Sequence, residues 1–138
     1  MKIYLASFFE VENFGKGRLI SVAKGKKPRI LEINLIYNSL APNEDISRKY
    51  YIDKQENDPE AGDRFTEAYS KQLNEFLDQA KQDSKEQGKS VMNLLDLQEE
   101  DNLLSWERAG RPNYRRTLAI WLKTIGYDVV LDGEEFKL

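Results

Sequence analysis

The chain has 138 residues, which fits one domain over residues 1–138, since single hydrophobic cores are commonest at about 100–150 residues. It contains no cysteine and no histidine. Disulfides, thiolate nucleophiles, structural zinc sites and Ser-His-Asp triads are therefore excluded, because each needs a sulfur or an imidazole. Any catalysis would depend on Asp, Glu, Tyr, Ser, Lys or Arg. No motif points to a metal or another cofactor, and we expect none.

Hydrophobic residues make up 40% of the chain and charged residues 33%, which is typical of a globular protein with a charged surface. No apolar run approaches the roughly 20 residues that cross a bilayer, and residues 1–5 lack the apolar stretch of a signal peptide. We therefore expect a cytoplasmic protein, in the host cytoplasm if the chain is viral, without a membrane partner.

Charge is distributed unevenly about the net value of −3. Residues 1–40 carry seven basic and three acidic groups, whereas residues 43–101, the acidic segment, carry eight basic and sixteen acidic groups. Within the first of these segments lies a basic patch, which consists of Lys16, Arg18, Lys24, Lys26, Lys27 and Arg29. Such a patch can hold a local positive potential, or it can be ordinary solvated charge around a Gly- and Pro-containing loop.

The first two thirds of the chain contain strand patterns followed by helix patterns. β-Branched and aromatic residues predict strands at 2–9, 18–22 and 29–34. A short helix is predicted over 44–51, because Asn43 is suited to cap it. Apolar residues spaced by three and four predict a long helix over 63–87, ended by Gly88. Residues 91–97 fit either a short helix or a strand.

The last third has the pattern of a strand, a helix and a closing strand. Residues 102–107 form the first strand by composition, and two adjacent leucines indicate burial on both of its faces. Asn113 is suited to cap a helix that ends before Gly126, and a strand follows at 127–131. This order is typical of parallel strands joined by a right-handed crossover. We therefore predict an α/β fold: a single three-layer domain with a mostly parallel central sheet flanked by helices.

Three pieces of the C-terminal segment resemble a known family. They lie at 103–108, at 113–122 with Trp-Leu in the predicted helix, and at 126–130. Together they are similar to the signature of the domain of unknown function 488 family. That signature reads Leu-Leu-Cys-Tyr-Glu-Lys or Arg, then Cys-His-Arg, then a helix with Trp-Leu before a Gly and a final strand. The resemblance implies an α/β fold with a central first strand and a pocket beside the signature, but no reaction, since the family has no assigned chemistry.

The chain departs from that signature where the family has sulfur and imidazole. Ser105 stands in place of the first Cys, and Asn113 and Tyr114 stand in place of Cys-His. Glu107, Arg108 and Arg115 keep the residue types of the family. This pattern predicts a retained pocket whose chemistry has been altered or lost.

The loop that follows the strand at 102–107 is the candidate site. Ligands of open α/β sheets bind beyond the carboxyl ends of parallel strands, where helix N-termini attract anions. Guanidinium groups suit phosphate or carboxylate ligands. We predict an anion-binding pocket formed by Ser105, Trp106, Arg108, Arg111, Asn113, Tyr114, Arg115 and Arg116. Trp106 either stacks on a base or sugar or belongs to the core, since alternation places it opposite Ser105 and Glu107.

Glu107 is the candidate catalytic residue. Neighbouring arginines favour its charged form, so a nucleophilic or electrostatic role suits it better than that of a general acid. The alternative is an ion-pair partner that orients Arg108 or Arg115. Because the chain has no histidine, Ser105 is a poor nucleophile. The alternative interpretation is that Ser105 is a small polar residue of the strand.

Three functions remain as hypotheses. The first is a binding module for a phosphate-bearing or other anionic ligand, either a nucleotide or a nucleic-acid end. Nucleic acid has the weaker support, because an acidic chain needs a localised basic stripe to bind it. The second is a nucleoside or nucleotide N-glycosyl hydrolase or transferase that uses Glu107, since residues 1–6 are similar to the first strand of nucleoside deoxyribosyltransferases. The third is an accessory or viral protein that contacts a partner protein through the acidic segment. The oligomeric state leaves no mark in the sequence.

Overall fold

A computed structural model describes residues 1–23, 25, 27–85, 94–107 and 114–138, and the elements below are those of the described residues. The strands are β1 (Lys2–Ser7), β2 (Leu19–Ser21), β3 (Leu35–Ile36), β4 (Asn102–Ser105), β5 (Asp128–Leu131) and β6 (Glu134–Glu135). The α-helices are α1 (Glu44–Gln55), α2 (Ala61–Lys85) and α3 (Arg115–Ile125). Two short 3-10 helices lie at Val11–Asn13 and Asn38–Leu40. None of the described helices is both long enough and apolar enough to cross a membrane.

The strands form one sheet in the order β3-β2-β4-β1-β5-β6. Neighbouring strands are parallel except for β5 and β6, which are antiparallel. The central strand is β1, in which Leu5 pairs with Leu103 of β4 on one side and with Leu131 of β5 on the other. The predicted α/β fold with a mostly parallel sheet is therefore confirmed, and the first strand is central as expected.

Alternation along β1 divides its side chains between the two faces of the sheet. Ile3 and Leu5 belong to the larger core cluster, which joins the sheet to α2 and α3 through residues that include Tyr69, Leu73, Leu118 and Leu122. Ala6 and Phe8 belong to a second cluster, to which irregular segments contribute Phe14, Leu31, Ile33 and Trp106. Each fully buried leucine or isoleucine stabilises the fold by roughly 1.5–3 kcal/mol. The two faces are thus covered by different kinds of structure.

The predicted helices are present, with α1 longer than expected. The side chain of Asn43 accepts a hydrogen bond of 2.9 Å from the Ile46 N–H, so its role as the helix cap is confirmed. The helix continues past residue 51 because Asp53, which is only 3% exposed, accepts from Lys49 at 2.8 Å and contacts Arg64 of α2. The contact between Asp53 and Arg64, at 3.5 Å, ties the last turn of α1 to α2. The predicted cap Gly88 lies outside the described residues.

The predicted third strand at 29–34 is wrong. A turn begins at Pro28, whose carbonyl accepts from Leu31 N–H at 3.5 Å, and Ile30 is 87% exposed. Pairing with β2 starts at Asn34, whose N–H donates to the Leu19 carbonyl. Leu31 and Ile33 pack on the second face of the sheet from a loop, and this packing needs no strand. Composition does not separate these two uses of the same residues.

A C-terminal hairpin follows β5, and no pattern considered above predicts it. Asp132 and Gly133 have φ values of 51° and 85° and join β5 to β6 as a two-residue loop. An Asp-Gly pair with both φ values positive forms the tight turn that suits the twist of antiparallel strands. The hairpin places Phe136 in the core at 8% exposure.

Other sequence predictions have mixed outcomes. Residues 94–97 form neither helix nor strand, and 91–93 lie outside the described residues. The helix α3 begins after Tyr114, and the predicted cap Asn113 also lies outside the described residues. Gly126 ends α3 with a φ of 123°, and its N–H donates to Leu122 and Lys123, which confirms the predicted C-terminal cap.

Candidate ligand-binding site

The chain leaves the neighbouring strands β1 and β4 over opposite faces of the sheet. The connection after β1 places Phe14 in the cluster on one face, whereas α3, which follows β4, packs with Ile3 and Leu5 on the other. Diverging connections leave a crevice at the carboxyl ends of such strands, and open α/β sheets bind their ligands there. Ser7 and Ser105 end the two strands in register with each other. The crevice therefore lies beside Trp106 and Glu107, as the sequence predicted.

Two clefts open at this crevice. The larger, of about 890 Å³, lies between helices α1 and α2 and the ends of β4 and β5. We call it the cationic cleft after its two exposed cations, Lys54 and Arg116; its lining also includes Tyr50 and the acidic Asp63 and Asp132. The smaller, of about 420 Å³, is the tryptophan cleft, whose lining includes Ala23, Pro42, Glu44 and Trp106. Ser47, Glu107 and Tyr114 line both clefts. These three residues form the wall that the two clefts share.

Glu107 occupies the centre of this wall. Its side chain is half-buried, and its Oε2 atom is shielded from solvent without a hydrogen-bond partner among the described residues. A buried polar atom without a partner costs about 1–3 kcal/mol, and more if the group is charged. Such an atom beside a cleft is suited to accept a hydrogen bond from a bound ligand.

Arg115 lies beneath the clefts, with its side chain completely buried. Its Nη1 donates to the Ser105 hydroxyl at 2.9 Å and to the Glu107 carbonyl. Its Nε and Nη2 contact Asp132 Oδ1 at 3.1 and 2.9 Å. The structure therefore places this arginine as a support for the Glu107 backbone, away from the surface that a ligand would touch. Its carboxylate partner is Asp132 and not Glu107.

Asp132 is the functional-site residue that sequence reasoning missed. Burial raises the pKa of its carboxyl, and the charge and hydrogen bond of Arg115 oppose that rise. The local signal was available, because Asp-Gly directly after a β-branched run is a hairpin pattern. The pairing with Arg115 left no such signal, since 17 residues separate the two along the chain.

Tyr114 and Ser105 complete the hydrogen-bonding network. The Tyr114 hydroxyl donates to the Val22 carbonyl at 2.8 Å. Burial raises the pKa of Tyr114 well above its usual value, and the nearby Glu107 adds to this, while a hydrogen bond from Ser105 and the charge of Arg115 oppose it. Tyr114 therefore stays protonated at neutral pH. Ser105 is fully buried, as expected for a small polar residue of a strand.

The sequence left open whether Trp106 belongs to the core or stacks on a ligand, and the structure places its ring both in a core cluster and at a cleft. Its ring meets Phe8 edge-on, with ring centroids 4.9 Å apart, and lies 5.7 Å from Phe9. It shares the second core cluster with Leu104, which confirms the alternation predicted from the sequence. The residue is only half-buried and also lines the tryptophan cleft.

The basic residues are placed differently from one another. Arg116 is exposed and lies over the Phe136 ring at 5.5 Å. Arg108, Arg111, Lys24 and Lys26 lie outside the described residues, as does Asn113. The described members of the basic patch lie on both sides of β2: Lys16 and Arg18 precede it, and Lys27 and Arg29 follow it.

Arg18 of the basic patch has a structural partner at the amino end of the sheet. It donates to both carboxylate oxygens of the buried Asp101, at 3.0 and 2.7 Å. This basic-patch residue is therefore engaged by a buried carboxylate of the fold. Lys54, which does line the cationic cleft, belongs to the acidic segment and carried no sequence signal.

The acidic segment forms α1 and α2, and part of its charge is paired locally. Arg48 contacts Glu44 at 3.2 Å and Asp45 at 3.6 Å. Exposed pairs of this kind contribute about 0.3–0.5 kcal/mol each. Within the described ranges, no group of three or more acidic side chains is placed to hold a metal ion.

Comparison of the chain with protein-family models, with curated proteins and with solved structures returns no match. The resemblance to the domain of unknown function 488 family therefore stays a prediction.

Proposed function

We propose that the protein binds a small phosphate-bearing ligand at the carboxyl end of the sheet. The phosphate lies in the cationic cleft against Lys54 and Arg116, and a donor group of the ligand bonds to Glu107. The observation that carries the proposal is the solvent-shielded Oε2 of Glu107, which lacks a partner among the described residues and lies on the wall of an 890 Å³ cleft.

The charges of the cationic cleft support this orientation. Lys54 approaches from α1 and Arg116 from α3, and both side chains are exposed. Three acidic residues, Asp63, Glu107 and Asp132, also line this cleft, and Asp132 is balanced by the buried Arg115 at 2.9 Å. Hydrogen bonds between charged groups contribute about 1.5–3 kcal/mol each.

Calorimetric titration with ribose 5-phosphate tests the proposal. We expect measurable binding that weakens as salt rises, because charge contacts are screened. Lys54→Gln and Arg116→Gln should each weaken binding by about tenfold or more, as expected for the loss of one charge-assisted contact. The matched control is Lys71→Gln, which changes an exposed lysine of α2 away from both clefts. Equal affinities for all four proteins would refute the proposal.

The same carboxylate favours one second function, N-glycosidic bond cleavage. A carboxylate on the wall of a cleft is suited to attack the anomeric carbon of a nucleoside bound there. A bond forms between Glu107 and that carbon, the N-glycosidic bond breaks, and the base leaves with a proton taken from water. A second water then hydrolyses the glycosyl ester, which releases the sugar and the free carboxylate and returns the proton to the hydroxide left by the first water.

Chromatographic detection of the free base from a set of nucleosides and nucleotides tests this second function. Glu107→Gln should lower turnover by about 100-fold or more, since it removes the nucleophile. Glu75→Gln, at an exposed position of α2, is the control that should retain full turnover. No release above the rate without protein, or equal release by the Glu107→Gln variant, would exclude this function.

A further inference from the structure

We infer that the ligand is a nucleoside monophosphate that spans both clefts, with its base stacked on Trp106 and its phosphate in the cationic cleft. This inference rests on the proposed function and names the class of ligand. The juxtaposition that carries it is a cleft with an aromatic platform joined to a cleft with exposed cations through the wall that contains Glu107.

Trp106 is built as a platform. Phe8 supports the ring edge-on at 4.9 Å, and Phe9 lies at 5.7 Å, so the indole is held by packing against these rings. The half-buried side chain also lines the tryptophan cleft, where its neighbours include the apolar residues Ala23 and Pro42. A fixed aromatic surface beside apolar neighbours is the kind of site on which a nucleobase stacks.

The charges of the two clefts set the orientation of the ligand. Among the described lining residues, the charged members of the tryptophan cleft are Glu44 and Glu107, both acidic. The cationic cleft is lined by Lys54 and Arg116 together with Asp63, Glu107 and Asp132, of which Asp132 is paired with the buried Arg115. Among the described lining residues cations occur in this cleft and not in the first, so a phosphate finds charge-assisted donors here, while an uncharged base with N–H donors is tolerated beside the carboxylates of the first cleft.

The position of Glu107 then matches the sugar. It lines both clefts, so a ligand that occupies both must pass its side chain. A ribose hydroxyl donates to the Glu107 carboxylate, whose Oε2 has no partner among the described residues. Volumes of about 420 and 890 Å³ lie within the range of small-molecule pockets, which is about 300–1,000 Å³.

The experiment compares AMP with ribose 5-phosphate, which keeps sugar and phosphate but lacks the base. We expect the affinity for AMP to exceed that for ribose 5-phosphate by about tenfold or more, which is the contribution of one stacked base. AMP should also quench tryptophan fluorescence, whereas ribose 5-phosphate should not. The quenching should vanish in Trp106→Leu, because the other tryptophan, Trp121, is buried on α3.

Variants separate the base site from the phosphate site. Trp106→Leu should reduce AMP affinity to that of ribose 5-phosphate and leave the latter within about twofold of the wild type. Lys54→Gln should lower the affinity for both ligands. If Trp106→Leu lowers the melting temperature, Trp106→Phe keeps an aromatic ring and should retain intermediate AMP affinity.

Each outcome decides between the two proposals. If AMP and ribose 5-phosphate bind equally and Trp106→Leu leaves AMP affinity unchanged, the base site is refuted and phosphate binding stands. If neither ligand binds at millimolar concentration, or if Lys54→Gln has no effect on either, the proposed function fails and the inference fails with it.

Discussion

The guanidinium of Arg115, which is completely buried, lies 2.9 Å from the carboxylate of Asp132, which is 18% exposed. This pair joins the first residue of α3 to the turn of the C-terminal hairpin. Through Ser105 and the Glu107 carbonyl it also holds the carboxyl end of β4. Buried ion pairs contribute little net stability but are costly to break, so this one serves chiefly to fix geometry under the clefts.

Arg115→Met should destabilise the protein by about 3–5 kcal/mol, because it leaves Asp132 and two further oxygens without their donor. The control is Arg116→Met at the next position, which is exposed and should cost about 1 kcal/mol or less, the value of its cation–π contact. The free energy of unfolding in urea measures both.

Addition of Asp132→Asn to Arg115→Met should recover part of the lost stability, since it removes the buried carboxylate that the first change leaves unpaired. Asn also suits the positive φ of 51° at this position. Additive losses in the double-mutant cycle would contradict the pairing.

Asn102→Ala should destabilise the protein by about 2–4 kcal/mol. The side chain is fully buried, and its Oδ1 accepts from Gly15 N–H at 2.7 Å. Its Nδ2 contacts the carbonyls of Gly15, Gly17 and Arg18 at 3.2 Å each. Alanine removes all of these side-chain contacts, although the Arg18 carbonyl keeps its bond of 2.9 Å from the N–H of residue 102. Urea unfolding measures the loss, and ribose 5-phosphate affinity should stay unchanged, because Asn102 lies at the opposite end of β4.

Two glycine-to-alanine substitutions should differ in their effect on the free energy of unfolding. Gly133→Ala should cost about 1–2 kcal/mol, because an L residue is strained at its φ of 85° and a Cβ would meet Asn13 at 2.5 Å. Gly62→Ala should be neutral or stabilise by up to about 1 kcal/mol, since a Cβ there meets open space in α2. Thermal or urea unfolding measures both, and equal effects would contradict this account of the turn.

Acid should weaken the attachment of α1 to α2. The hydrogen bond from Lys49 and the charges of Lys49 and Arg64 hold the pKa of Asp53 below its usual value of 3.8, against the opposing effect of burial. A lowered pKa contributes stability that is present above 3.8 and is lost as pH falls through the lower folded value.

The free energy of unfolding of the Asp53→Asn variant should therefore depend less on pH than that of the wild type as the pH falls from neutral to below 3.8. The exposed control Glu75→Gln should keep the slope of the wild type. An unchanged slope in Asp53→Asn would show that the ion pairs of α1 and α2 do not contribute to acid sensitivity.

The sequence by itself determined the α/β class, the presence of α1 and α2, and the order of β4, α3 and β5 from which the candidate site was predicted. Each depends on a local regularity: apolar residues spaced by three and four in α2, the cap at Asn43, and β-branched runs such as β1 and β5. The hairpin at Asp132-Gly133 belongs to the same class of local signal and was predictable from it. The strand wrongly placed at 29–34 shows where composition alone fails, because loop packing and strand pairing use similar residues there.

Only the tertiary structure decided which charged groups serve the site. Arg115 and Arg116 are adjacent and alike in sequence, yet a rotation of about 100° per helical residue turns one into the core and the other to the surface. Lys54 lines the cationic cleft because α1 packs on α2, and the Gly15–Arg18 segment is held by Asn102 from a position more than eighty residues away. Such assignments depend on contacts between distant segments, whose geometry no local sequence pattern contains.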